Sequence, residues 1–249
     1  MRRPFFLVEN LDALMRAKWL LPYLLVPPLL AVIAHLESSL VQGGVVAIYT
    51  HKARMTLTIW NGAILLGAIS GVQASLYFSS LFRSDWLRAS IALPLARCRA
   101  YWGALLAVLL VAMVAFTFTI GALVAALPRY GAYPWASVVL STFALVTWVV
   151  CVSAFLGVIA NALSSSIFIL TMMTVSFVLA SPSVIEYHYG GAGTPALALF
   201  LHALPPIGMS FFATLGDPWH YVYPMVLVGH SALAAVLGCF FFVRRSGAA

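Results

Sequence analysis

Residues 135–181 read WASVVLSTFALVTWVVCVSAFLGVIANALSSSIFILTMMTVSFVLAS, forty-seven consecutive positions without one charged side chain. A helix needs about 20 apolar residues to cross the hydrocarbon of a bilayer, so this run is twice too long for a single span and must fold back on itself. The weakest point is 157–166, where Asn161 and the run Ser164, Ser165, Ser166 interrupt the apolar pattern. Their side-chain oxygens can cap a helix start, which predicts a hairpin with its turn there.

Working outward, charge-free runs of similar size occur at Trp19–Leu36, Leu57–Phe82, Tyr101–Leu127 and Tyr221–Val243. The first carries Pro22, Pro27 and Pro28, which bend or break a helix. With the hairpin, these make six expected spans in an all-α integral membrane protein, with residues 1–249 as one transmembrane domain. The composition agrees: 63% hydrophobic and 8% charged residues leave too little polar surface to cover a water-soluble core. The net charge of +7 in so apolar a chain reports loop orientation rather than a nucleic-acid partner.

Six spans place Arg2, Arg3, Arg16, Lys18, Arg83, Arg88, Arg97, Arg99, Arg244 and Arg245 on one side, and Lys52, Arg54 and Arg129 on the other. Positive charge marks the cytoplasmic face, so both termini are expected inside. A seventh crossing would move Arg244 and Arg245 outside. Residues 182–220 are therefore an outer loop, and 196–216 within it, split by Pro205 and Pro206, an outer re-entrant or interfacial helical hairpin before the last span. Residues 1–18 suit an amphipathic interfacial helix, with Leu7, Leu11 and Leu14 on one face and Glu9, Asp12 and Arg16 on another.

Motifs for chemistry are missing. The chain has no GxxxxGK[ST] phosphate loop, no GxGxxG, no HExxH and no CxxC, so any energy it uses comes from elsewhere. Cys98, Cys151 and Cys239 lack metal-ligand spacing and are read as small buried residues. No Asp, Glu, Lys or Arg lies in the middle of a span, which disfavours an ion-coupled relay. Of six histidines only His230 falls well inside a span. An intramembrane haem, metal or redox protein stands as one alternative function, and a non-transporting assembly protein as another.

The second span repeats small residues every fourth position, Ala63, Gly67, Gly71, Ser75 and Ser79. Such a stripe lets two backbones approach closely, either within the chain or across a dimer seam. The polar residues Asn61, Gln73, Asn161 and Ser165 either satisfy one another or line a substrate path.

Residues 81–103, LFRSDWLRASIALPLARCRAYWG, form a charged and amphipathic stretch. The run Leu93-Pro94-Leu95-Ala96-Arg97, with Gly103 at the start of the third span, resembles a motif of ABC type-2 exporter permeases. The whole plan resembles that family too: an N-terminal amphipathic helix, six spans, a short turn between spans four and five, an outer hairpin and a basic C-terminus. The resemblance implies a permease without catalytic residues in a bacterial-type plasma (inner) membrane, paired with a second permease, identical or homologous. It also implies two copies of an ABC ATPase subunit, which hold ATP and Mg, and no cofactor on this chain. Residues 82–100 would be the cytoplasmic coupling loop, with Asp85, Trp86, Leu87, Arg88, Ile91, Pro94, Arg97 and Arg99 touching the ATPase.

Overall fold

The computed structural model describes residues 5–16, 21–26, 28–30, 32, 46–81, 94–126, 135–179, 204–214 and 221–248. Within these the chain is helical: α1 (Phe5–Arg16), α2 (Leu21–Leu24), α3 (Val46–Leu81), α4 (Pro94–Ala126), α5 (Trp135–Ile159), α6 (Ala162–Leu179), α7 (Ile207–Ala213) and α8 (Val222–Ala248). Among the described residues, four helices are long and apolar enough to cross a membrane, over Thr56–Leu81, Ala96–Ala122, Trp135–Ile159 and Val222–Ser246. The chain is a helical membrane protein.

Of the expected first and fifth spans, the described residues include the apolar stretch Leu21–Leu30 and the apolar helix Ala162–Phe177; the 18 residues of α6 reach about 27 Å at 1.5 Å per residue. The remaining part of the expected outer hairpin, 196–203 and 215–216, lies outside the described residues, as do Glu186, His188, Asp217 and His220. Only α7 is described in that region.

The hairpin turn falls where Asn161 predicts it. Asn161 separates α5 from α6, and its Oδ1 accepts the Ser164 backbone N–H at 2.8 Å, which satisfies one of the unpaired donors of a helix N-terminus. Pro94, whose fixed φ and missing N–H suit a first helical position, opens α4 seven residues before the expected Tyr101. The helix continues through Arg97 and Arg99 because its hydrogen bonds are made by backbone; a charge-free window understates its length. For the same reason α3 starts at Val46 and carries His51, Lys52 and Arg54 ahead of its apolar part.

Contacts between elements set the direction of each helix. Gly71 lies beside Val149 and Ser153, and Gly157 beside Ser75 and Phe78, so α3 and α5 run parallel. Gly67 meets Met173 and Gly71 meets Ile169, so α6 runs opposite to α3. Val158 and Phe155 meet Arg245 and Phe241, which makes α8 parallel to α5. Cys98 meets Cys239, and Arg97 meets Val243, which makes α4 antiparallel to α8. Tyr23 reaches Ser70 and Leu30 reaches Gly62, so the described part of the first apolar run lies antiparallel along α3. α5 is the hub, with 67% of its apolar window buried against 39% for α8. Exposed side chains such as Leu106, Leu110, Val114 and Phe118 on α4 form the outward apolar face that lipid requires.

Candidate functional site

These directions bring the end of α3, the start of α4, the end of α5 and the end of α8 together. At their centre Tyr101 is fully buried, its ring 5.3 Å from that of Phe78 on α3 and 5.7 Å from that of Phe242 on α8. Offset and tilted aromatic pairs at such distances add to simple area burial. The Tyr101 hydroxyl has no hydrogen-bond partner among the described residues and rests against Gly238, where an added Cβ would overlap the phenol.

Around this node sit Arg97, Arg99, Arg244 and Arg245. Arg97 Nη1 donates to the Val243 carbonyl at 3.5 Å, and Arg245 Nη1 donates to the Val158 carbonyl. The Val158 carbonyl belongs to the last turn of α5, where a helix end leaves acceptors unpaired. Arg99 and Arg244 are exposed at the same end. Helix α1 fastens here as well: Tyr77 donates its hydroxyl proton to Asn10 Oδ1, Leu14 is buried, and Leu7 and Leu11 pack on the core. Arg16 pairs with Asp12 at 2.6 Å on the exposed side, a surface pair worth only a few tenths of a kcal/mol. Lys52 and Arg54 precede the apolar window of α3 at its opposite end.

Of the predicted coupling residues, Asp85, Trp86, Leu87, Arg88 and Ile91 lie outside the described residues. Pro94, Arg97 and Arg99 occupy the first two turns of α4. The small-residue stripe finds its partner within the chain. A Cβ on Gly71 would lie 2.8 Å from Val149 Cγ1 and 2.9 Å from Ser153 Oγ, while Ala63 and Ser75 are buried on the same face. Gly157 supplies the reciprocal gap, with Ser75 O 3.0 Å from its would-be Cβ.

The four polar candidates do not converge. Asn61 is exposed, whereas Gln73 is buried three helical turns away, about 18 Å along the axis. Asn161 and Ser165 belong to the hairpin turn, where Ser165 Oγ donates to Asn161 O at 2.8 Å. They do structural work there. His230 is half-buried in α8, and no three His, Cys, Asp or Glu side chains group together among the described residues.

Sequence reasoning missed the cysteine pair. Cys98 Sγ and Cys239 Sγ lie 2.8 Å apart, bordering an open recess of about 570 Å³ with Trp102, Val236, Phe240, Val243 and Arg244. Spacing could not reveal it, because the two residues are 141 positions apart. At the other end of the bundle Trp60 meets Phe211 edge-on at 5.6 Å, and Trp60 Nε1, Ser176 Oγ and Ser210 Oγ are buried without partners among the described residues. No family model, curated protein or solved structure matches the chain.

Proposed function

We propose that this chain is the membrane-spanning permease subunit of an ATP-driven ABC-type exporter in a bacterial-type plasma membrane. It works beside a second permease, identical or homologous, and two copies of a separate ATPase subunit that carries ATP and Mg. The observation that supports this reading best is the aromatic node at the basic end. Residues 82–93 leave α3 at Leu81 and return at Pro94 on α4, and the node ties both ends to α8.

Any displacement of 82–93 by a docked ATPase is therefore passed to three long helices at once, with α1 attached through Tyr77 and Asn10. ATP binding need only favour one of two helix arrangements over the other. The gathering of Arg97, Arg99, Arg244 and Arg245 at this end supports, by the positive-inside rule, a reading with this end in the cytoplasm, six spans and both termini inside. Asn61, a polar amide on an exposed face of α3, gives the second permease or the transported molecule a group to bond. Trp86 and Arg88 on 82–93 are of the residue types that dominate protein interfaces.

The reading is tested by purifying the tagged chain from its native membrane with and without Trp86→Ala and Arg88→Ala. The expected outcome is co-purification of an ATP-hydrolysing subunit with the parent chain and its loss from the double variant, at unchanged membrane insertion. If no ATPase accompanies the parent chain, or the double variant retains it undiminished, the permease assignment falls.

A further inference from the structure

We propose that Cys98 and Cys239 form a redox-active dithiol, closed to a reversible disulfide by exchange with a small soluble disulfide such as oxidised glutathione. The proposal does not depend on the transport reading.

The two thiols belong to different helices, α4 and α8, and both are free. Their 2.8 Å separation is closer than unbonded sulfurs ordinarily sit and about 0.8 Å longer than a disulfide bond. Only a small approach of two side chains is needed, with the helices already aligned by Arg97 on the Val243 carbonyl and by Tyr101 against Gly238. Cys98 lies two residues inside the apolar window that starts at Ala96, about 3 Å of rise, so it sits at the polar rim rather than deep in lipid.

The two sulfurs differ in access. Cys98 is half-buried, whereas Cys239 is 7% exposed, and both border the open recess whose rim carries Arg244. That guanidinium draws an anionic reagent towards the recess, and a cysteine thiolate is the form that attacks a disulfide. The order of events follows from access. The Cys98 thiolate attacks one sulfur of the glutathione disulfide, forming a mixed disulfide and releasing one glutathione thiolate. Cys239 then attacks the Cys98 sulfur and displaces the second glutathione thiolate, which takes up the Cys239 proton. In balance, two protein thiols and one glutathione disulfide become one protein disulfide and two glutathione thiols. In a reducing compartment such a pair rests reduced and closes only under oxidation.

The consequence is a covalent staple between α4 and α8 at the basic end, across the recess. Cys151, free and buried on α5, serves as an internal reference.

The test treats the full chain in membrane vesicles with glutathione disulfide. The preparation is then denatured and its free thiols counted with a mass-tagged maleimide, and the digest is searched for the cross-linked peptide. The parent chain is expected to fall from three free thiols to one, with a Cys98–Cys239 cross-link, and to regain all three with dithiothreitol. Cys239→Ser should stop at glutathione on Cys98, and Cys98→Ser should keep Cys239 and Cys151 free. Three thiols persisting in the parent chain, or glutathione remaining on it without the cross-link, would overturn the proposal. The parent chain alone decides this, whether or not either variant folds.

Discussion

The seam between α3 and α5 and the seam between α4 and α8 join helices of one bundle by opposite means. The first is built from absence: Gly67, Gly71, Ser75 and Gly157 bring two parallel backbones together until Ser75 O lies 3.0 Å from the position a Gly157 Cβ would take. The second is built from bulk, with Tyr101, Trp102, Phe242, two sulfurs and an arginine filling the space, and a recess left open beside them. In lipid, apolar side chains gain little by leaving the tails, so close packing itself supplies the attraction between helices. A glycine seam uses that source fully and tolerates no addition. An aromatic seam with an unpartnered hydroxyl and an open flank has room to adjust.

The largest effect that could break this contrast belongs to Gly157→Val. Its branched side chain would meet backbone atoms of Ser75 at 3.0 and 3.1 Å, which cannot rotate away, and a loss of about 3 kcal/mol is expected for overpacking of this kind. Thermal unfolding in detergent micelles measures it, and an unchanged midpoint would mean the seam is looser than drawn. Gly71→Leu comes next, at about 2 kcal/mol, because the atoms in its way are side-chain atoms of Val149 and Ser153 that can give. If this variant instead kept its stability and changed only its oligomeric state, the stripe would have to serve a second copy of the chain.

In the aromatic seam the sign reverses. Tyr101→Phe removes a buried hydroxyl that has no partner among the described residues and should raise stability by about 1 kcal/mol, read as a higher unfolding midpoint. A fall would reveal a hydrogen bond that the contrast does not include. The smallest change sharpens the comparison from outside both seams. Nothing lies within 4 Å of a Cβ at Gly229, so Gly229→Ala should gain about 0.5 kcal/mol from helix propensity alone. Loss of assembly in that variant, with the monomer still folded, would expose a partner on the outward face of α8.

Much of this bundle was legible from residue order. The charge-free run at 135–181 announced its own reversal, and Asn161 marked the turn through a bond to Ser164 that spans three residues. The stripe in α3 announced a close contact, and the arginines announced that one end differs from the other. Helix starts were less legible, since Pro94 and Val46 open helices through charged residues that a hydropathy window excludes. The placing of the polar candidates was not legible at all: Asn61, Gln73, Asn161 and Ser165 are all polar but do not share a place.

What the sequence alone determined is therefore local or periodic: the apolar segments, their caps, the faces they present and the side of the membrane their charges favour. What only the tertiary structure decided is which face meets which. The stripe in α3 meets α5 and α6 rather than a gap, Tyr101 meets Gly238, and Cys98 meets Cys239. The physical reason lies in distance along the chain. Helical periodicity places side chains three and four positions apart on one face, but contacts across 78 or 141 residues depend on the order and direction in which the helices stack. Close fit between their surfaces selects that order, and no spacing within a single helix records it.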